Sequence, residues 1–188
     1  MNFILTIFLS FNLLTQNSST DFSEHLNKLC QQKEVDFEKG ILKPFNDYLT
    51  ELPIEGVNDS EKHLNYLKYL VENDAQHQTI EETQDSLPND RFWSIKKSLT
   101  DLGIIRGNFV NYELLIKLLK KTKPKDQVIK DFIAVFKEIE RNDYNVSSGL
   151  IADGLIFALN GATLDNETYQ QVTVLTVSAF AVMQNNGH

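Results

Sequence analysis

The chain is poor in the residues on which many catalytic and metal sites depend. It has a single cysteine, Cys30, among 188 residues. That count excludes an intrachain disulfide framework and any metal site built from several thiolates. The segment SSGL lacks a G-x-S-x-G nucleophile elbow, and GIIRGN is not a phosphate-binding loop. The sequence therefore predicts no catalytic residues, no metal ligands and no cofactor, and hence a protein that is not an enzyme.

Positive charge is also scarce. The chain has 18 lysines and arginines against 26 aspartates and glutamates, a net charge of −8. Binding to a phosphate backbone needs clustered cations that displace counterions. A nucleic-acid partner is therefore not expected.

The first twenty residues, MNFILTIFLSFNLLTQNSST, contain no charged side chain. Their apolar run is too short to span a bilayer comfortably and has the length of a signal-peptide core. Against a signal peptide, the segment has no lysine or arginine before the apolar run and no A-x-A cleavage site. A buried first helix is the alternative. We expect residues 1–20 to be a signal peptide, residues 21–188 to be a single α-helical domain without a stable membrane span, and the mature protein to be periplasmic or secreted.

Beyond this leader the apolar side chains recur at helical spacing. In DQVIKDFIAVFKEIERND, for example, Val128, Phe132 and Phe136 share one face. Asn58 with Glu61 three residues later is a helix-start signal. The sequence predicts an all-α, single-domain helical bundle of six to eight helices.

Two glycine and proline positions mark helix boundaries. Gly103 follows an amphipathic segment and predicts a helix end there. Pro44 interrupts the helical pattern over residues 37–52, so we expect either two shorter helices or one bent helix.

The last 45 residues differ from the rest, because between 144 and 188 the only residues of the Asp, Glu, Lys and Arg types are Asp153, Asp165 and Glu167. Two apolar helices joined by ATLDNE are predicted, and a helix that is apolar on every side normally lies at the centre of a fold. We therefore place this C-terminal apolar helical hairpin at the core. A strand is the alternative for VTVLTV, whose β-branched residues suit one.

Charge is unevenly distributed along the chain. Residues 51–90 hold ten carboxylates against Lys62 and Lys68, whereas residues 96–130 hold nine cations against three carboxylates. The two stretches either form opposite faces or pack together and neutralise each other. An acidic surface predicts a basic protein partner, and tryptophan and carboxylates are candidate contacts. The predicted partner-binding residues are Glu72, Asp74, Glu81, Glu82, Asp85 and Trp93.

A lone tryptophan such as Trp93 is more commonly a core residue, which is the alternative for that position. Asp153 and Asn160 are seven residues apart on one helical stripe. They are candidates for lining a pocket between helices, and the alternative is that this stripe is the solvent edge of the helix.

The sequence thus favours an exported, non-enzymatic binding protein, such as an inhibitor or immunity-type protein, that engages a basic protein partner through an acidic region. The alternative is a carrier of a small apolar ligand, with its cavity between the C-terminal helices. An enzyme that uses Asp153 ranks last.

Overall fold

A computed structural model describes residues 22–73, 89–107, 109–122, 126–142 and 146–184. The described residues form eight α-helices, a five-residue π-helical segment and a two-stranded antiparallel ladder. In chain order these are α1 (Phe22–Gln32), the π-helical segment (Glu38–Leu42), α2 (Lys43–Leu49), α3 (Asp59–Asn73), α4 (Asn89–Asp101), β1 (Ile105–Arg106), β2 (Phe109–Val110), α5 (Tyr112–Leu119), α6 (Gln127–Arg141), α7 (Ser148–Leu159) and α8 (Glu167–Gln184). The predicted all-α helical bundle is confirmed.

Helix α8 lies at the centre of the bundle. Every residue from 171 to 179 is buried, and α8 packs against α1, α3, α4 and α7. The segment VTVLTV is therefore helical, and the strand alternative is wrong. Of its two hydroxyls, that of Thr176 donates to the Val172 carbonyl one turn earlier, whereas that of Thr173 is buried without a partner among the described residues. Ser178, just after the segment, donates to the Val174 carbonyl in the same way.

Helix α7 completes the C-terminal hairpin at the core, but only one of its faces is covered. Helices α3 and α6 pack against it, while Leu150 and Phe157 on the outer face are exposed, Phe157 to 77%. High mean hydropathy therefore marks both helices of the hairpin without showing which one is enclosed on all sides.

Several helix ends have the caps that the sequence predicts. At the start of α3 the Glu61 backbone N–H donates to Asn58 Oδ1 at 2.9 Å, and the Glu61 carboxylate accepts from the Val57 N–H. At the end of α4, Gly103 has φ +76°. The N–H groups of Gly103 and Ile104 donate back into the last turn of the helix, which is the Schellman arrangement.

Proline 44 lies in the first turn of α2, directly after the π-helical segment. A proline lacks the N–H that an uninterrupted helix would need at this point. The π-helical segment therefore ends here and α2 begins directly, without a loop between them. Gly40, inside the π-helical segment, lies so close to α4 that a Cβ there would clash with the Ser98 hydroxyl.

The short β-ladder was not predicted. Ile105 pairs with Val110 and Arg106 with Phe109, so the two strands are separated in the sequence by residues 107 and 108 alone. Gly107 has φ +61°, a conformation that glycine adopts at no steric cost. Within the described residues, no helix is both long and apolar enough to cross a membrane.

Candidate functional site

A cleft of about 720 Å³ opens between α1, the turn that follows it, the π-helical segment and the first half of α8. It brings together two stretches of chain, residues 27–42 and residues 167–174, which are far apart in the sequence. The residues that line it are Asn27, Cys30, Gln31, Glu34, Val35, Asp36, Phe37, Glu38, Leu42, Glu167, Gln170, Gln171 and Val174.

The turn after α1 forms one wall of the cleft. The chain reverses there because Glu34 adopts φ +55° and the Val35 N–H donates to the Cys30 carbonyl at 2.9 Å. Asp36 Oδ1 then accepts from the Lys39 backbone N–H at 3.0 Å. This hydrogen bond is the main cause of a lowered pKa at Asp36, and the Lys39 ammonium, 3.3 Å from the carboxylate, lowers it further.

The opposite wall is the first half of α8, which a chain of hydrogen bonds fixes against α1. The Ser23 hydroxyl donates to Gln171 Oε1 at 2.9 Å, and Gln171 Nε2 donates to the Glu167 carboxylate at 3.0 Å. Ser23 and Gln171 are both buried. The helix N-terminus is held by Asn166, whose side-chain oxygen accepts from the Tyr169 N–H.

The floor of the cleft contains Cys30, Gln171 and Val174, all buried. Burial raises the pKa of the Cys30 thiol, and the nearby negative charge of Asp36 raises it further. The thiol is therefore neutral at pH 7 and a weak nucleophile. Its sulfur has no hydrogen-bond partner within the described part of the chain.

The rim of the cleft is anionic. Glu34, Asp36, Glu38 and Glu167 are exposed carboxylates, and no lysine or arginine is among the described residues that line the cleft. Exposed carboxylates that converge on a concavity concentrate negative potential there. The arrangement is suited to binding a positively charged group.

Among the described residues, those of the cleft included, no group of three or more His, Cys, Asp or Glu side chains is placed to hold a metal ion. The buried imidazole of His63 lies apart from the cleft. Its Nε2 contacts Asn46 Oδ1 at 2.6 Å, and burial lowers its pKa to about 4.

Two of the predicted partner-binding residues are described. Glu72 is exposed in the last turn of α3. Trp93 on α4 is 59% exposed, and the Lys96 ammonium lies 5.1 Å from the centre of its ring. The core alternative for Trp93 is therefore wrong. The other four predicted contacts lie outside the described residues: Asp74, Glu81, Glu82 and Asp85.

The two predicted pocket residues are exposed and do not line the cleft. Asp153 shares the outer face of α7 with Leu150 and Phe157, because the helical period turns it away from α3 and α6. Asn160 ends α7 in a left-handed conformation with φ 46°. Both side chains thus lie at the solvent edge of α7, as the alternative for this stripe predicts.

The cleft itself was not predicted. The alternation Glu34, Asp36, Glu38 is visible in the sequence and signals a local acidic cluster. Nothing in the pattern brings Glu167 to it, because that approach depends on how α1 docks on α8.

A comparison of the chain with protein-family models, curated proteins and solved structures finds no match.

Proposed function

We propose that this protein is a non-enzymatic binding protein that engages a basic protein partner, with the acidic cleft as one of its contact sites. The observation that carries the proposal is a concave site with four exposed carboxylates on its rim and no cation among its described lining residues. A partner that presents lysine or arginine side chains would complement this site electrostatically.

The exposed Trp93 supports a protein partner. Tryptophan is among the residues that contribute most to binding energy at protein interfaces. The predicted acidic contacts Asp74, Glu81, Glu82 and Asp85 belong to the same proposal, since they add to the negative charge that would attract a basic partner. The anionic rim favours such a partner over the neutral apolar ligand of the carrier alternative.

The proposed setting is outside the cytoplasm, in the periplasm or as a secreted protein. The support is the uncharged apolar segment at residues 1–20. An inhibitor or immunity-type protein is the kind of binder that fits this setting.

The test measures binding of a capped hexalysine peptide by isothermal titration calorimetry at low and at moderate salt. We expect the double variant Glu34→Gln/Glu38→Gln to bind about fivefold more weakly than the wild type at low salt, with a shallower salt dependence. Neither side chain makes a described hydrogen bond, so the variant should fold normally.

The matched control is Glu113→Gln/Glu140→Gln, which removes the same charge from α5 and α6, away from the cleft. Equal losses in both double variants would reduce the effect to net charge and contradict the cleft as the contact site. The triple variant Glu81→Gln/Glu82→Gln/Asp85→Asn tests the predicted acidic segment in the same way.

A further inference from the structure

The chemistry of the cleft changes from its rim to its floor. The carboxylates of Glu34, Asp36, Glu38 and Glu167 are exposed, whereas Val174 and Gln171 below them are 0% and 7% exposed. Both ends of the Gln171 amide already have partners inside the protein, namely Ser23 and Glu167. The Gln171 amide on the floor therefore has partners inside the protein and does not need a polar group of a ligand to satisfy its hydrogen bonds.

The Cys30 thiol is the second observation that points to an occupant. It borders the cleft, is 6% exposed, and has no hydrogen-bond partner among the described residues. A neutral thiol is soft and polarizable and packs well against alkyl and aromatic groups. In an open cleft it favours an apolar group over water.

The walls extend this apolar surface towards the rim. Val35, Phe37 and Leu42 are half-buried and pack against the core while also lining the cleft. The cleft volume of about 720 Å³ lies within the range of sites that enclose a small ligand or a bulky side chain with its neighbours.

We propose that the cleft receives one apolar side chain of the partner, flanked in the partner sequence by lysines or arginines. The apolar side chain contacts the accessible edge of Cys30 and the half-buried Phe37 and Leu42. The flanking cations pair with the rim carboxylates that have no ion pair with a described lysine or arginine, namely Glu34, Glu38 and Glu167. This inference rests on the proposed function and names the segment of the basic partner that binds: a basic peptide with an apolar anchor, rather than a uniformly basic one.

The experiment compares three capped heptapeptides by calorimetry. The first has a central leucine between pairs of lysines, the second has glycine in place of the leucine, and the third keeps the leucine between pairs of glutamates. Burial of the leucine should make the first peptide bind about tenfold more tightly than the second. The third should not bind, because its charges repel the rim.

The Cys30 thiol provides an independent readout at the floor. At saturating concentration the leucine peptide should slow alkylation of Cys30 by iodoacetamide about fivefold, since the bound side chain covers the sulfur. The glycine peptide should protect it much less. The urea-unfolded protein, in which no cleft exists, should show no protection by either peptide.

A substitution in the cleft wall tests where the leucine side chain of the peptide binds. Phe37→Ala should lower the affinity of the leucine peptide towards that of the glycine peptide, whereas Val57→Ala should leave both affinities unchanged. Val57 is 94% exposed and does not line the cleft. Should Phe37→Ala lose helix content, the comparison of the leucine and glycine peptides on the wild type decides the question.

The outcomes separate the two proposals. Tight, salt-dependent binding of both lysine peptides with equal affinity and no protection of Cys30 would overturn the apolar anchor and leave the basic partner standing. Failure of both lysine peptides to bind would overturn the cleft as a site for a basic partner.

Discussion

His63 is fully buried and stacks on Phe45, with 5.8 Å between ring centroids. The Asn46 amide nitrogen donates to the Asp59 carboxylate at 2.8 Å, so its oxygen faces the imidazole and must accept. His63 Nε2 therefore carries the proton. Its Nδ1 is buried and has no partner among the described residues. A second proton would have to be placed on this nitrogen, where nothing accepts it.

This geometry predicts a loss of stability in mild acid. Burial is the main cause of the lowered pKa of His63, while Asp59 raises that pKa and Lys62 lowers it. With a folded pKa of about 4 and an ordinary value of 6.5, the unfolded chain takes up the proton first as pH falls. The contribution of His63 is complete above pH 6.5 and decreases towards pH 4. Between pH 7 and pH 5 the free energy of unfolding should fall by about 2 kcal/mol through this residue.

Urea unfolding of the wild type and of His63→Gln at both pH values checks this prediction. Glutamine can still donate to Asn46 but does not titrate, so the variant should lack about 2 kcal/mol of the acid-induced loss. Identical losses in the two proteins would show that His63 is not the titrating group.

At the scale of elements, the π-helical segment lies between α4 and the cleft. Gly40 is its point of closest approach to α4, facing Ser98, while Glu38 and Leu42 on the same segment line the cleft. Anything that moves this segment away from α4 therefore also moves one wall of the cleft.

Gly40→Ala should lower the free energy of unfolding by about 1–3 kcal/mol, because the added methyl group clashes with the Ser98 hydroxyl in a packed interface. The double variant Gly40→Ala/Ser98→Ala should recover part of the loss, and Ser98→Ala alone should have little effect. Thermal or chemical unfolding measures all three. A double variant that is no more stable than Gly40→Ala would mean that the clash is not the cause.

The elements also show how far the sequence predicts the structure. Amphipathic spacing and caps such as Asn58 and Gly103 predict most helices, because these signals are local. The pairing of β1 with β2 went unpredicted although the dipeptide Gly-Asn between two apolar stretches is a known hairpin signal in a sequence. The exposure of Trp93, by contrast, has no local signal in the sequence, since it depends on which face of α4 the bundle covers. The cleft depends on tertiary docking of α1 on α8 and therefore has no complete sequence signature.

At the scale of the whole molecule, the proposed function depends on the compartment. The basic stretch includes the exposed residues Lys117 of α5, Lys121 just after α5, and Lys130 of α6. The carboxylates of the acidic cleft come from the turn after α1, the π-helical segment and α8. A protein with such segregated charge associates with partners in a manner that depends on ionic strength. Which partners it meets depends on whether it is exported.

The intact mass of the protein from its native source tests the proposed export. Removal of residues 1–20 should lower the mass by about 2 kDa relative to the full chain. A full-length mass would contradict cleavage of a signal peptide and would remove the main support for a periplasmic or secreted protein. Peptide binding at the cleft would be unaffected by that result.

The central position of α8 has a consequence for biosynthesis. The seven other helices of the described chain are synthesised before α8, yet four of them pack on it. During translation the nascent chain thus exposes the apolar surfaces that later cover α8, and the bundle closes only after residue 184 has left the ribosome. The bundle therefore completes its folding after α8 has been synthesised, rather than helix by helix during translation.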